Sequence, residues 1–363
     1  MKVALVHDWL NGMRGGEKIL EVLAEIFPEA HVFTLIYEPE KISATINKLP
    51  VHTSFIQSLP GGRRYYRYYL PLFPKAVERF NLGGYDLVIS TSHCVAKGVN
   101  VHPQAVHICY CLTPIRYVWD FSEEYFGARR YMIKPVLDYL KRWDLTTSRR
   151  PQFYFSISQN VANRVKRYYN RDSTVIYPPV DTDFFSSRKE EGDYYLVVSA
   201  LVPYKRIDIA VEAFTELKLP LVVIGSGTEY KRLRKKAGPN IKFLGWQEDK
   251  VIRDYYAGCR AFVFPGVEDF GITPLEAQSC GRPVIAYRKG GVLETVSERV
   301  PSGLFFDQQT KESLMETVLA MEDRKNDFDG DKIREHVLGF DRKIFKQRLS
   351  DEIQRVYNLY HHN

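Results

Sequence analysis

The residues best suited to chemistry lie in one segment, RAFVFPGVEDFGITPLEAQSCGRPVIAY, which covers residues 260–287. Glu268 and Glu276 are eight positions apart in it, and Gly271 stands between them. The apolar runs on both sides predict short buried parallel strands, which places a loop and a helix start at the carboxyl end of a sheet. Backbone amides at such a helix start bind anions, and glycine lets a ligand approach the backbone closely. The segment therefore predicts an anion site.

The helix start is predicted from the residues TPLE. Thr273 is the expected N-cap, Pro274 the first helical residue and Glu276 the partner that closes a capping box. A capping box by itself accounts for Glu276, and a solvated position in the loop accounts for Glu268. Spacing alone leaves this structural interpretation and a ligand-binding interpretation open.

A third candidate, Lys205, follows the apolar run DYYLVVSAL at a predicted turn from strand to helix. A cation at a helix N-terminus is unfavourable because it opposes the helix dipole. This mismatch is easier to explain if the lysine serves a ligand, although a solvated lysine at a helix start is the simple alternative.

A second glycine-rich turn follows the first predicted strand, KVALVH. The residues DWLNGMRGGE lead from that strand into an amphipathic helix that should end near Phe27, and a strand, turn and helix start can together hold a phosphate. The glycines fit neither GxGxxG nor GxxxxGK[ST], which disfavours a dinucleotide-dependent dehydrogenase and a P-loop nucleotidase. They could also simply form a tight turn.

The run EDFGITPLE followed by AxxxGxPVIA resembles the signature of the retaining GT-B glycosyltransferases, a large family that includes many bacterial mannosyl- and glucosyltransferases. The resemblance implies that Glu268 lies by the donor sugar and that Lys205 pairs with the donor phosphates, so these two are the expected catalytic residues. It implies that Glu276 binds the nucleotide ribose. The other implied donor contacts are Gly15, Gly16, Arg206, Phe270, Gly271, Ile272 and Thr273, and the backbone of Phe243, Leu244 and Gly245 would bind the base.

The segment CYCLTPIRYVWD resembles a subgroup associated with mannose transfer in bacterial polysaccharide assembly. That resemblance makes GDP-mannose the expected donor. It places Arg116, Tyr117 and Trp119 at the carboxyl end of a strand, where we expect them on the acceptor side.

Two positions depart from the family pattern. Leu112 stands where the family usually has a histidine that contacts the donor sugar, and Ala200 replaces an arginine five positions before Lys205. Arg206 is the candidate substitute for that arginine. The departures keep a second function class open, namely a catalytically impaired sugar-nucleotide-binding or scaffold subunit.

Predicted strands and helices alternate through both halves of the chain, which is typical of α/β proteins. The stiff pair Pro178–Pro179 predicts a domain boundary near residue 180. The resemblance implies the GT-B fold, with two facing Rossmann-like domains and a C-terminal helix that returns to the first. The expected division is an acceptor-binding domain over residues 1–179, a nucleotide-sugar-binding domain over 180–340 and the returning helix over 341–363.

Composition and net charge limit the classes of protein and of ligand that remain open. A chain of 363 residues with 45% hydrophobic and 26% charged residues is that of a globular protein with two domains, and the expected location is the cytoplasm. The net charge of +7 suits a polyanionic ligand or the anionic inner face of the plasma membrane, where the basic and tyrosine-rich residues 63–75 could lie. The sequence predicts neither a nucleic-acid-binding motif nor a metal cluster. It also predicts no cofactor, because the nucleotide sugar is a substrate.

The predicted function is therefore a retaining, metal-independent hexosyltransferase of polysaccharide or cell-envelope synthesis. It would transfer mannose from GDP-mannose to a glycan or a lipid-linked acceptor. Stabilising the departing nucleoside diphosphate while an oxocarbenium-like sugar forms is the main chemical demand.

Overall fold

The chain forms two compact units in the computed structural model, which describes residues 1–186, 190 and 192–362. The first unit contains residues 1–179 and 343–363, and the second contains residues 180–342. The division after residue 179 falls directly behind the proline pair. Residue 363, the end of the expected C-terminal segment, lies outside the described residues.

The first unit is a parallel sheet with helices on its faces. Its strands are β1 (Val3–His7), β2 (His31–Thr34), β3 (Val51–Thr53), β4 (Leu87–Ser92), β5 (Val106–Cys111), β6 (Phe153–Ser156) and β7 (Thr174–Val175). Its helices are α1 (Gly15–Ile26), α2 (Ala44–Asn47), α3 (Gly62–Tyr65), α4 (Phe73–Glu78), α5 (Arg116–Trp119), α6 (Ser122–Phe126), α7 (Lys134–Thr147) and α8 (Gln159–Tyr169). Serine is a favoured N-cap residue, and Ser158 caps α8: its hydroxyl accepts the Val161 amide at 3.0 Å.

The second unit repeats this architecture. Its strands are β8 (Tyr195–Val198), β9 (Leu221–Ile224), β10 (Ile241–Gly245), β11 (Phe262–Phe264), β12 (Val284–Tyr287) and β13 (Gly303–Phe306). Its helices are α9 (Ile207–Leu217), α10 (Tyr230–Lys236), α11 (Asp249–Gly258), α12 (Ile272–Ser279), α13 (Lys311–Asp323) and α14 (Gly330–Val337). The strands are almost wholly apolar because both faces of this parallel sheet are covered.

The last helix, α15 (Arg342–His362), belongs to the first unit from Lys343 onward. Its buried residues form one stripe: Phe345, Leu349, Ile353 and Val356. The Phe345 ring packs edge-on against Tyr110 of β5, and the Tyr360 hydroxyl donates to the Pro103 carbonyl at 2.8 Å. Hydrophobic packing therefore attaches this helix to the first sheet.

The strand orders determine where ligands can bind. The first sheet runs β3-β2-β1-β4-β5-β6-β7, and the second runs β10-β9-β8-β11-β12-β13. In both, the direction of winding reverses between the first strand and the fourth, that is, between β1 and β4 and between β8 and β11. Open parallel sheets bind ligands at the carboxyl ends of the strands beside such a reversal. Each unit therefore has one such edge.

Within the described part of the chain, none of the helices combines the length and the apolar content that crossing a bilayer requires.

Candidate active site

Lys205 and Glu268 form an ion pair at the reversal point of the second sheet. Lys205 lies seven residues after the end of β8, Glu268 four residues after the end of β11, and the lysine ammonium contacts Glu268 Oε1. Their side chains are 19% and 14% exposed, so the pair is largely shielded but open to a ligand on one side. The structure thus brings together the two residues that the sequence predicted as catalytic.

Close backbone packing at glycines makes this meeting possible. A Cβ at Gly266 would lie 2.9 Å from the carbonyl oxygen of Lys205, so a larger residue would push the two loops apart. A Cβ at Gly225 would lie 1.8 Å from the Ser199 carbonyl oxygen, and one at Gly227 would lie 2.2 Å from that of Leu201. The pattern GSG at 225–227 therefore holds the loop that leads to Lys205 against the end of β9.

Gly290 and Gly291 pack against the loop that carries Glu268. Gly290 has a φ of 88°, and its strand-like bridge to Glu268 extends the pairing of β11 with β12. The Gly291 amide donates to the Glu268 carbonyl at 2.8 Å, and a Cβ at this glycine would lie 2.3 Å from the Asp269 carbonyl oxygen. These glycines position the carboxylate, a role that sequence analysis missed because it depends on a contact across two strands.

The prediction of Thr273 as an N-cap is wrong. Helix α12 begins at Ile272, and its N-cap is Gly271 with a φ of 99°, which makes Thr273 the second helical residue and Pro274 the third. Glycine adopts this left-handed conformation without strain, so the chain turns two residues earlier than the capping pattern suggests. Proline is tolerated because the amides of the first helical turn lack an intrahelical acceptor in any case. The amides at residues 270–273 therefore still belong to a helix start.

Glu276 consequently lies one turn inside the helix and closes no capping box. It is 8% exposed, and its Oε2 accepts a hydrogen bond of 3.2 Å from the hydroxyl of Tyr256 on α11. Burial, followed by the charge of Glu276, raises the pKa of Tyr256 well above its usual value, so this phenol stays protonated and donates. The carboxylate has a structural partner, and its expected contact with a ribose stays a prediction.

Arg206 engages its own helix. Arg206 is the N-cap of α9 and has a left-handed φ of 53°, so the helix begins at Ile207, after a short 3₁₀ turn over Pro203–Lys205. Arg206 Nε lies 3.2 Å from Asp208 Oδ1. The guanidinium is therefore partly neutralised by a residue in the first turn of α9.

The expected base-binding residues lie at the carboxyl end of β10, the edge strand of the second sheet. The Gly245 carbonyl accepts the Gly225 amide at 2.7 Å, and Gly245 has a φ of 69° at a bulge in the strand. The Phe243 ring contacts Tyr230, and Leu244 packs against the core beneath the sheet. The side chains of Phe243 and Leu244 pack against other residues, so the backbone atoms at the end of β10 are the groups that could bind a base.

In the first unit, Gly15 and Gly16 open helix α1. A Cβ at Gly16 would lie 2.8 Å from a Leu112 methyl carbon and 3.3 Å from the His7 ring. Leu112, which stands where the family usually has a histidine, therefore packs directly on the helix start. A larger residue at position 16 would therefore require the Leu112 side chain to shift.

A buried cluster that sequence analysis missed lies at the reversal point of the first sheet. The Asp8 carboxylate, directly after β1, accepts the amides of His93, Cys94, Val95 and Ala96 at 2.6–2.8 Å. His93 Nδ1 is 3.1 Å from Asp8 Oδ2, and the imidazole is 27% exposed. Burial lowers the pKa of His93 more than Asp8 raises it, so the ring is neutral near pH 7. Asp8 and His93 are 85 residues apart, so only the order of strands could have identified the pair.

His7 forms a second buried group with Thr91 and Glu17. His7 Nδ1 is 2.6 Å from the Thr91 hydroxyl, and His7 Nε2 is 3.9 Å from Glu17 Oε1. Burial acts to raise the pKa of Glu17, but the hydrogen bond and charge of His7 outweigh it, so the pKa is lowered. The carboxylate also accepts the Arg14 amide at 3.2 Å and so fixes the start of α1.

The expected acceptor-side residues occupy α5, with their polar atoms partly used by the fold. The Tyr117 hydroxyl is 2.8 Å from the Cys94 thiol, and the Trp119 indole donates to buried Asp144 at 2.7 Å. Arg116, at the first helical position, is partly exposed. The contact of these three residues with an acceptor stays a prediction.

Among the residues that the structure describes, no group of three or more His, Cys, Asp or Glu side chains is arranged to hold a metal ion.

Residues 179–332 match the model of a family described as glycosyl transferases group 1. A GDP-mannose-dependent monoacylated alpha-(1-6)-phosphatidylinositol monomannoside mannosyltransferase of Corynebacterium glutamicum is 32% identical over 40% of this chain and 43% of its own length. An uncharacterized glycosyltransferase of Methanocaldococcus jannaschii is 28% identical over 55% of this chain and 58% of its own. The chain thus spans about half the length of these curated relatives.

Solved structures match over the whole length. The Anabaena protein HepE in complex with UDP has a TM-score of 0.74 at 16% identity, covering 98% of this chain and all of that one. WaaG, described as a glycosyltransferase involved in lipopolysaccharide biosynthesis, has a TM-score of 0.70 at 16% identity, covering 97% and 99%. The predicted fold is confirmed: the chain has the GT-B fold of two parallel-sheet α/β units, and its residues 179–332 match the glycosyl transferases group 1 family.

Proposed function

We propose that this chain is a retaining, metal-independent glycosyltransferase that moves mannose from GDP-mannose to a glycan or lipid-linked acceptor in polysaccharide or cell-envelope synthesis. The observation that carries the proposal is the Lys205–Glu268 pair at the reversal point of the second sheet, next to the start of α12. A cation, a helix start and a carboxylate at one sheet edge match the needs of a sugar diphosphate, since the first two bind phosphate and the third accepts sugar hydroxyls.

In the proposed reaction the bond between the sugar C1 and the diphosphate oxygen breaks, and a bond from C1 to the acceptor oxygen forms on the same face. The acceptor's hydroxyl proton passes to the leaving phosphate oxygen, so no protein nucleophile is required. Lys205 and the amides at residues 270–273 would offset the charge of the leaving group, with Arg206 and the Gly15–Gly16 amides as further candidate phosphate contacts. Glu268 would orient the sugar, and Glu276 the ribose.

The choice of mannose is supported by relatives rather than by a contact in the site. The Corynebacterium glutamicum relative is GDP-mannose-dependent by name, and an O-antigen chain mannosyltransferase C of Escherichia coli is 30% identical over 36% of this chain. HepE has been crystallised with UDP-glucose. A donor test therefore includes both GDP-mannose and UDP-glucose. We propose that the protein works in the cytoplasm at the inner face of the plasma membrane, where lipid-linked acceptors are found.

The test is release of nucleoside diphosphate by the purified full chain with a panel of sugar nucleotides and a membrane extract, with and without a chelator. GDP-mannose should give the highest kcat/KM, the chelator should leave the rate unchanged, and NMR of the product should show a retained anomeric configuration. Tight binding of a sugar nucleotide without turnover of any donor would refute the enzyme and favour a scaffold subunit. An inverted product would refute the mechanism alone.

A further inference from the structure

A cavity lies in the first unit of the chain. Its volume is about 780 Å³, within the range of about 300–1,000 Å³ that is usual for small-molecule sites. Its lining comes from the glycine-rich turn after β1, the segment after β2, the residues of α3 and the turn that follows, and the end of α6. The lining residues are Asn11, Glu38, Lys41, Arg63, Arg64, Tyr65, Tyr66, Arg67, Tyr68 and Phe126.

The cavity is strongly cationic. Arg63, Arg64 and Arg67 are exposed, and within the described ranges no carboxylate forms an ion pair with any of them. Lys41 is paired with Glu38, so four cations line the cavity with one carboxylate. One guanidinium group can bind a phosphate through two parallel N–H···O hydrogen bonds. Three arginines within five residues therefore suit a ligand with more than one negative charge.

Tyrosine rings shape the cavity wall and its rim. Tyr66 is buried, and its hydroxyl accepts hydrogen bonds of 3.3 Å from Asn11 Nδ2 and from Arg67 Nε. Tyr65 and Tyr68 are 48% and 83% exposed, and Arg64 lies over the Tyr65 ring at 5.2 Å. Tyrosine is favoured where one end of a site is apolar and the other is wet, as at a membrane surface.

Asn11 connects this cavity to the glycine-rich turn that leads into Gly15. Its side-chain oxygen is buried and has no hydrogen-bond donor among the residues that the structure describes. Leaving a buried acceptor unsatisfied costs about 1–3 kcal/mol, so a ligand hydroxyl in the cavity would stabilise this arrangement. Asn11 and Arg67 both donate to the Tyr66 hydroxyl, so a ligand group at Asn11 would lie near the Arg67 side chain.

We propose that the cavity binds the phosphate or diphosphate group of a lipid-linked acceptor, with the guanidinium groups on the phosphates, Asn11 on the first sugar and the exposed tyrosines toward the lipid. This inference rests on the proposed function and narrows its acceptor to an anionic, lipid-linked glycan. Arg63 and Arg64 are specific phosphate contacts in this proposal rather than members of a diffuse basic surface.

The test compares the full chain with the double variant R63Q/R64Q in vesicle flotation. Three vesicles are used: phosphatidylcholine alone, phosphatidylcholine with a polyprenyl diphosphate, and phosphatidylcholine with phosphatidylglycerol at matched negative charge. The control variant R142Q/R149Q removes two exposed arginines of the same unit that do not line the cavity. The loss of two charge-assisted contacts should weaken binding to the diphosphate vesicles about 10- to 100-fold in R63Q/R64Q only, and soluble inorganic diphosphate should compete with the unaltered chain.

Equal losses on both anionic vesicles would overturn the proposal in favour of a general membrane surface, and unchanged binding to the diphosphate vesicles would overturn it outright. Calorimetry with GDP-mannose is run on the same proteins, and its result should be unaltered in R63Q/R64Q. If no sugar nucleotide binds or turns over in the unaltered chain, the proposed function fails, while flotation still reports on the cavity by itself.

Discussion

Replacing Lys205 by methionine removes the ammonium group and keeps most of the side chain's volume. At the observed exposures of 19% and 14%, an effective dielectric constant of about 20 gives an attraction of roughly 4 kcal/mol for charges about 4 Å apart. Solvation of the released Glu268 returns much of this energy. We therefore expect the free energy of unfolding to fall by only about 1–2 kcal/mol.

The expected loss in catalysis is larger. If the ammonium offsets the charge that develops on the leaving diphosphate, its removal should lower kcat by about 10²- to 10³-fold, equivalent to about 2.7–4 kcal/mol. The nucleotide-sugar Kd should change less, because the charge is greatest in the transition state. Steady-state release of nucleoside diphosphate gives kcat, calorimetry gives Kd and urea unfolding gives the stability.

The matched control is Glu268→Gln, with the double variant K205M/E268Q completing the cycle. A purely structural pair predicts that the double variant regains stability and turnover together, because no buried charge is left alone. The proposed roles predict recovery of stability while turnover stays at or below the level of K205M. Recovery of turnover in the double variant, or equal losses of affinity and kcat in K205M, would refute leaving-group stabilisation.

Three further predictions concern groups away from that pair. Glu276→Gln should weaken nucleotide binding by about 1–3 kcal/mol in calorimetry whereas Tyr256→Phe should not, and equal affinities would limit Glu276 to structure. Lys97→Met should lower the free energy of urea unfolding by about 3–5 kcal/mol because it removes the counter-ion of the buried Asp144, and a loss below about 1 kcal/mol would contradict this. Burial lowers the pKa of His107 to about 3, so its contribution to stability should be complete above pH 6.5 and fall by up to about 4–5 kcal/mol toward pH 3, and His107→Gln should remove that part of the pH dependence.

The alternation of apolar strands and amphipathic helices was sufficient to predict an α/β protein, whereas the GT-B fold was implied by the resemblance of the EDFGITPLE segment to that family. Strands such as β5 and β9 are short, apolar and buried on both faces, a pattern that parallel sheets require and that leaves few other assignments. Ser158 was predictable as an N-cap because its side chain and the spacing of α8 agree. Element ends were less accurate where two local signals competed, as at residues 271–273, where the left-handed conformation of Gly271 decided the helix start rather than the hydroxyl of Thr273.

The candidate site was predictable only in part, for a geometric reason. Lys205 and Glu268 were singled out one at a time from a turn and a motif, and no local pattern states that they touch. Their contact follows from the adjacency of β8 and β11, which are separated in sequence by two other strands. The Asp8–His93 pair has no motif at all and arises in the same way from β1 and β4. Residues that meet at a reversal of strand order become visible only when that order is known.

Gly16 offers a test that separates packing from ligand approach, because both requirements fall on one position. In Gly16→Ala the new methyl would lie 2.8 Å from Leu112, which is tighter than carbon atoms tolerate, and overpacking of this kind costs about 1–3 kcal/mol. Alanine is the better helix former by about 1 kcal/mol, so the net loss of stability should be at most about 2 kcal/mol.

The double variant G16A/L112A removes the side chain that the methyl meets, while the His7 ring, 3.3 Å from the new methyl, stays in place. Thermal unfolding should then show that the double variant is at least as stable as L112A alone, since the clash with Leu112 is gone and the gain in helix propensity of about 1 kcal/mol offsets the remaining close contact with His7. If the amides of Gly15 and Gly16 also contact the donor phosphates, turnover of GDP-mannose should stay low in the double variant despite restored stability, because the methyl still obstructs the ligand. Turnover equal to that of L112A would show that position 16 needs glycine only for packing against Leu112, and the phosphate role of this helix start would be refuted.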